Sequence, residues 1–102
     1  MIRLVSSGAE KWISPTFSHP LILGAGPDYI FNHMMGRAPD KHLIQYYNGN
    51  NVWSEVYDSW QNSVGTSFYG FSVNSNNTDA NSSHIRIDRF AAGDYRAVLL
   101  WF

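Results

Sequence analysis

Cysteine is absent from the 102 residues. That excludes disulfides, thiol chemistry and cysteine-ligated zinc, and it leaves the redox compartment open. Charge is scarce as well. Asp, Glu, Lys and Arg make up 15% of the chain, against roughly 25% in an average soluble domain. Seven basic and eight acidic residues leave a formal charge of −1. No basic stripe is present, so nucleic acid held through phosphate neutralisation is not an expected partner. Long apolar runs are missing too. The longest is Ala97–Phe102, far short of the roughly 20 residues of a membrane-spanning helix, so membrane insertion is not expected. The opening MIRLVSSGAEKW lacks the apolar centre of a secretory signal. Helical periodicity is wanting: only Ser7–Lys11 and Trp60–Val64 could each make a single turn.

What the chain does have is aromatic and branched residues. It is 44% hydrophobic and 16% aromatic, enough for one core in one domain spanning 1–102. With so little charge, its surface must be built from Asn, Ser, Thr, Tyr and Gly. Asp28–Trp60 reads as a meander of three strands joined by two tight turns, GRAPD (Gly36–Asp40) and NGNN (Asn48–Asn51). Gly takes positive φ without strain, Pro39 pushes Ala38 out of the helical region, and Asn-Gly beside strand-like runs signals a hairpin. Lys41–Tyr47 carries large groups on both faces and is expected to be a covered, central strand.

The remaining strands follow by alternation and turn chemistry. Ile2–Ser6 is a candidate strand, followed by a turn at Ser7-Gly8. A second strand begins near Trp12, and Ser14-Pro15 forces an edge position or a bulge on it. Ser67–Val73 is expected to be a strand, and NSNNTDANSS (Asn74–Ser83) a polar loop, because Asx and Ser groups favour local turns. His84–Phe90 alternates, with Ile85 and Ile87 inward and His84, Arg86 and Asp88 outward. After the AAGD turn (Ala91–Asp94), Tyr95–Phe102 is apolar to its last residue and should be tucked into a sheet or an interface. The fold class this implies is all-β: a compact antiparallel β-sandwich of about six to eight strands.

Candidate chemistry is thin. The four histidines (His19, His33, His42 and His84) have no metal-helix spacing. Glu55 and Asp58 fall on opposite faces of one predicted strand, so they do not form a glycosidase pair. Asn74–Ser83 lacks the frame of a calcium loop. No nucleophile elbow or phosphate loop occurs. Neither a cofactor nor a metal is expected, and no catalytic residue is assigned. The aromatics carry more. Trp12, Trp53, Tyr57, Trp60 and Tyr69 have flat faces on which a pyranose could stack, with nearby polar groups reading its hydroxyls. On strict alternation Trp53, Glu55 and Tyr57 share one face of Val52–Trp60, while Arg86 and Asp88 project together from another strand. These five residues are the candidate ligand-binding set, although the same aromatics could instead fill a core or a subunit interface.

The stretch Phe31–Tyr47, FNHMMGRAPDKHLIQYY, resembles a motif of tail-fibre, spike and other appendage proteins of bacterial viruses. In these, an apolar strand ending in His leads through a Gly-Arg-x-Pro turn into the strand that opens the next sheet. By strand order, most of the chain is similar to H-type lectin domains, small sandwiches that form trimers and bind sugars near subunit boundaries. Those also run through a Phe and Pro segment, here Phe17 to Pro20, and end on an apolar strand, here Tyr95–Phe102. None of the lectins' sugar-contacting residues can be aligned to a position here. The resemblance implies a homotrimer on the surface of a virion, made in the host cytoplasm, with other virion proteins and cell-surface glycan as partners. The function expected is non-enzymatic: a tail-fibre, spike or head-fibre module for receptor or glycan binding. The alternative is a purely structural capsid-decorating or fibre-assembly protein.

Overall fold

The computed structural model describes residues 2–6, 9–21, 24, 26–60, 72–88 and 92–102. They form nine strands: β1 (Ile2–Ser6), β2 (Ala9–Ile13), β3 (Phe17–His19), β4 (Asp28–Asn32), β5 (Lys41–Tyr47), β6 (Trp53–Asp58), β7 (Ser72–Thr78), β8 (Ser82–Asp88) and β9 (Gly93–Trp101). All pairings are antiparallel. One sheet runs β1-β2-β9-β5-β6 with β3 also on β9, and the other runs β4-β8-β7. The fold is an all-β antiparallel sandwich.

β2 and β3 are two halves of one row. Glu10–Ile13 lie opposite Val98–Trp101, and Phe17–His19 lie opposite Gly93–Tyr95. Nine segments therefore fill eight rows. The break falls at Ser14-Pro15, where proline cannot donate to the ladder. Ser14 bridges it. Its N–H donates to the Ala97 carbonyl at 2.9 Å, and its hydroxyl accepts the Ala97 N–H at 2.8 Å. A side-chain oxygen thus substitutes for the missing strand carbonyl, and the central strand β9 keeps its hydrogen bonds.

The apolar C-terminal run is the middle of its sheet. β9 pairs with β2 and β3 on one side and β5 on the other. Its inward face is Tyr95, Ala97, Leu99 and Trp101, all buried. Opposite them stand Ile85, Ile87 and Phe31 of the second sheet, with Ile44, Val56 and Tyr57 beside them. The alternation of β8 is as expected: Ser83, Ile85 and Ile87 are buried, and His84, Arg86 and Asp88 are half-exposed. Two aromatic groups close the ends of the core. Phe17, Tyr29, Tyr46 and Tyr95 stack with His19 at one end, with Phe17 and Tyr29 ring centroids 4.2 Å apart. Trp12, His33 and Trp101 meet edge-on at the other.

The meander expected over Asp28–Trp60 is only half formed. β5 and β6 are a hairpin, and the NGNN turn makes it with positive φ at Gly49 (86°), Asn50 (53°) and Asn51 (60°). Asn is the non-glycine residue that tolerates this region best. β4, however, pairs with β8 in the other sheet, so GRAPD is a crossing between sheets and not a hairpin turn. Hydrogen bonds tie the crossing down on both sides. Arg37 O accepts the Trp101 indole N–H at 2.7 Å, and Asp40 N–H donates to Leu100 O at 2.8 Å. On the other side Asn81 O accepts from His33 and Met34, while its side-chain oxygen accepts from Gly36 N–H.

The polar tract is also a correction. Ser72–Thr78 forms β7 rather than a loop, and only Asp79–Asn81 turns. Strand pairing is a backbone affair, and β8 already supplies the apolar inward face, so a run of Asn and Ser can serve beside it. Asp79 caps the turn, accepting from the Asn81 and Ser82 N–H groups at 3.0 and 2.8 Å. Of the one-turn helix candidate Ser7–Lys11, the described residues Ala9–Lys11 belong to strand β2. Of the turn expected over Ala91–Asp94, Gly93 and Asp94 already belong to β9, and Ala91 lies outside the described residues. The turn expected at Ser7-Gly8, most of the strand expected over Ser67–Val73, Tyr69 and the possible turn beyond Trp60 lie outside them too.

Candidate functional site

A β-bulge decides which residues of β6 meet solvent. Tyr47, Tyr46 and Gln45 pair with Trp53, Ser54 and Glu55, but Ile44 then pairs with Tyr57, so Val56 is an extra residue. At a bulge two successive side chains turn to the same side, and Val56 and Tyr57 both enter the core beside Ile44. Strict alternation placed Tyr57 with Trp53 and Glu55. The bulge separates it from them: Tyr57 is 8% exposed and packs against the His42 ring, while Trp53 and Glu55 stay on the outer face. The bulge also brings Asp58 to the face of Glu55, where alternation had opposed them. Asp58 is 3% exposed. It is committed to Lys41 Nζ at 3.1 Å and to the Trp60 N–H at 2.9 Å.

The other two candidates lie elsewhere. Arg86 and Asp88 project from the outer face of the β4-β8-β7 sheet, on the opposite side of the sandwich. They form a two-pronged pair with each other, Nε to Oδ1 and Nη2 to Oδ2 at 3.1 Å each. Asp88 Oδ1 also accepts the Gly26 N–H at 2.7 Å. This pair fastens the loop before β4 to β8. The five predicted residues therefore fall in three places: Trp53 and Glu55 on one outer face, Tyr57 in the core, and Arg86 with Asp88 on the other face.

Around Trp53 the structure adds residues that alternation had not brought together. Arg96 of β9, Gln45 of β5 and Glu55 of β6 stand in one row across the sheet. The Arg96 guanidinium lies over the Trp53 ring, 4.1 Å from its centroid, a cation–π contact. Gln45 holds it there, its Oε1 accepting from Arg96 Nε at 2.7 Å. Partial burial lowers the Arg96 pKa from its ordinary value, yet a guanidinium stays charged at any ordinary pH. Tyr47 packs on the far side of the hairpin pair, its ring centroid 5.0 Å from that of Trp53. Its hydroxyl accepts the Asn51 N–H at 3.1 Å, so the NGNN turn fixes the tyrosine.

This patch is notable for unused hydrogen-bonding capacity. Among the described residues, Glu55 has no hydrogen bond or ion pair, and neither do the outer Arg96 nitrogens, the Gln45 amide nitrogen or the Trp53 indole N–H. With Gln45 Oε1 facing Arg96, its NH2 group is turned away from that residue. Donors and an acceptor thus border two aromatic rings in a row one strand spacing apart, roughly 5 Å per step.

A second aromatic surface contrasts with it. Trp60 and Phe102 are 62% and 58% exposed, with ring centroids 5.5 Å apart. Here the surrounding polar groups are all spoken for. Trp60 Nε1 donates to Asp40 O at 2.9 Å, the Asp40 carboxylate accepts from the Phe102 N–H at 2.8 Å and from Arg37 at 2.9 Å, and Arg37 also reaches Phe102 O. Lys41, paired with Asp58, sits 4.8 Å from the Trp60 ring centroid. The Phe102 N–H bond and then Arg37 hold the Asp40 carboxyl below its ordinary pKa. GRAPD thus works as a clasp that orders these two rings.

The buried histidines are core groups. His33 Nδ1 accepts the Met35 N–H at 3.2 Å, which puts the ring proton on Nε2. His19 shares a 2.8 Å hydrogen bond with the Tyr29 hydroxyl. His42 stands between Leu99 and Tyr57 and has its pKa lowered to about 4 by burial, against a smaller opposing pull from Asp58. The described residues hold no group of three His, Asp or Glu arranged for a metal ion. Compared with known protein families, with curated proteins and with solved structures, the chain matches none.

Proposed function

We propose that the protein is a non-enzymatic glycan-binding β-sandwich module, and that the Trp53 face is its binding surface. The observation that carries the reading is the pairing of aromatic faces with unspent polar groups. Tyr47 and Trp53 are half-buried rings at this face, with Arg96 lying over Trp53, and Arg96, Gln45 and Glu55 offer hydrogen-bonding atoms that the fold itself does not use. A buried or clasped polar residue has already been satisfied by the chain, as Asp58 and Asp88 have. A surface that leaves such groups open on three polar residues beside two rings is suited to a ligand that is itself amphipathic and rich in hydroxyls. The same reading places the module on a virion surface, as a tail-fibre, spike or head-fibre component that meets a host receptor. This follows from the resemblance of Phe31–Asp40 to viral appendage motifs and agrees with the low charge of the chain.

A second reading has its own support. Trp60 and Phe102 are large, exposed and rigidly held, and such surface is typical of contacts between proteins. A fibre-assembly or capsid-decorating protein, or a homotrimer, would use them to meet another subunit or another virion protein. The two readings are separable by one pair of variants. In a glycan-array measurement Trp53→Ala should abolish binding and leave the sedimentation behaviour unchanged, while Trp60→Ala should leave binding intact and, on the second reading, alter sedimentation alone. If no glycan is bound and Trp53→Ala breaks an oligomer, the glycan reading fails and the structural one stands.

A further inference from the structure

We infer that the split charge pair Glu55–Arg96 makes this surface selective for uncharged sugars with neighbouring free hydroxyls, Glu55 being the residue that excludes acidic ones. The inference rests on the glycan reading above. Its basis is that these two groups face the same patch, carry opposite charge and are not paired with each other or with any other charge among the described residues. Gln45 lies between them in the row, opposite Arg96 on one side and Glu55 on the other. It takes the Arg96 Nε with its oxygen and holds the guanidinium over Trp53. Glu55, two residues along β6 from Trp53, stands on the same face without forming an ion pair with Arg96.

Two opposite charges that share a face without pairing suit a hydroxyl pair. A sugar hydroxyl both donates and accepts. One can accept from the outer Arg96 nitrogens while its neighbour donates to the Glu55 carboxylate. Both bonds are charge-assisted, which makes them stronger than hydrogen bonds between neutral groups. A carboxylate or sulfate on the sugar could engage the donors of this patch but not Glu55. It would bring a second negative charge towards Glu55 at short range, and like charges on neighbouring positions repel. Gln45 is a positioning residue in this arrangement, because it acts through Arg96.

The test is binding to soluble polysaccharides by affinity electrophoresis at low salt. The intact protein would be run against neutral dextran, mannan and galactan and against acidic polygalacturonate and alginate. The expected result is retardation by at least one neutral polymer, stronger than by either acidic one. Glu55→Gln keeps an acceptor oxygen but loses the charge, and should weaken that neutral binding about tenfold, the difference between a charge-assisted and a neutral hydrogen bond. It should at the same time strengthen any acidic binding. Gln45→Ala, which frees Arg96 from Trp53, should weaken neutral binding and leave the thermal unfolding midpoint nearly unchanged. If acidic polymers bind better than neutral ones, or if Glu55→Gln tightens or leaves unchanged the neutral binding, the inference is overturned while the glycan reading survives. If neither class binds, the glycan reading fails and carries the inference with it.

Discussion

Acid should weaken this fold in a window set by buried histidine, and His42 allows the size to be worked out. Its ring is packed between Leu99 and Tyr57 with Nε2 buried and without a hydrogen-bond partner among the described residues. Burial brings its pKa down from 6.5 to about 4. The sign follows from proton uptake. Above about pH 6.5 the ring is neutral in both states and contributes no pH dependence. Between 6.5 and 4 the unfolded chain takes the proton and the folded one does not, so stability falls as pH falls. At pH 5 the loss is about 2 kcal/mol, and it levels off near 3 kcal/mol below pH 4. Against a total of about 5–15 kcal/mol for a domain, this is a large share. Burial lowers the pKa of His19 and His33 too, so the whole-protein loss should exceed the His42 share. The carboxyls held low, Asp40 and Asp79, act in a separate window. Their contribution is present above the unfolded carboxylate pKa and goes only as pH drops below it. Urea unfolding followed by tryptophan fluorescence at pH 7.5, 6 and 5 measures the loss. His42→Leu keeps an apolar group of similar size and should remove about 2 kcal/mol of it between pH 7.5 and 5. If the variant loses as much stability over that range as the wild type, His42 is not the source of the loss.

Other perturbations test the joints of the fold. Ser14→Ala removes the hydroxyl that accepts the Ala97 N–H and leaves a buried donor without a partner. The expected cost is about 1–3 kcal/mol in chemical unfolding, with the Ala97 amide among those whose hydrogen exchange accelerates most. Gly26→Ala would set a Cβ onto the Ile87 carbonyl and disturb the bond from Gly26 N–H to Asp88. It should lower the thermal midpoint clearly, whereas Gly24→Ala, with open space at its Cβ, should not.

Alternation and turn residues were enough to read the class of fold. Ile85 and Ile87 point inward because a period of two puts them on one face, and that holds wherever the ladder is regular. The NGNN hairpin was equally legible, since positive φ is a local demand that Gly and Asn meet locally. The same local logic misread GRAPD. It is a turn by composition, but whether a turn joins partners or crosses between sheets depends on which strands lie alongside. β4 finds β8, more than fifty residues away in sequence. The polar tract was misread for a similar reason. Asn and Ser disfavour strands in isolation, yet β8 offers a backbone edge that outweighs the preference.

The candidate site shows where local reading stops. The sequence by itself determined an all-β sandwich with an apolar closing strand, and it singled out the row Trp53, Glu55 and Tyr57 as unsuited to a core, although Tyr57 is a core residue. It could not reveal the bulge at Val56, because one extra residue in a strand leaves the composition unchanged. That bulge turns Tyr57 inward and re-aims everything after it. Nor could it bring Arg96 and Gln45 to Trp53, since β9 and β5 become neighbours only when the sheet assembles. A strand's own residues fix which of them share a face. Tertiary structure decides which strands share a sheet, and thus which charges and rings meet on its surface.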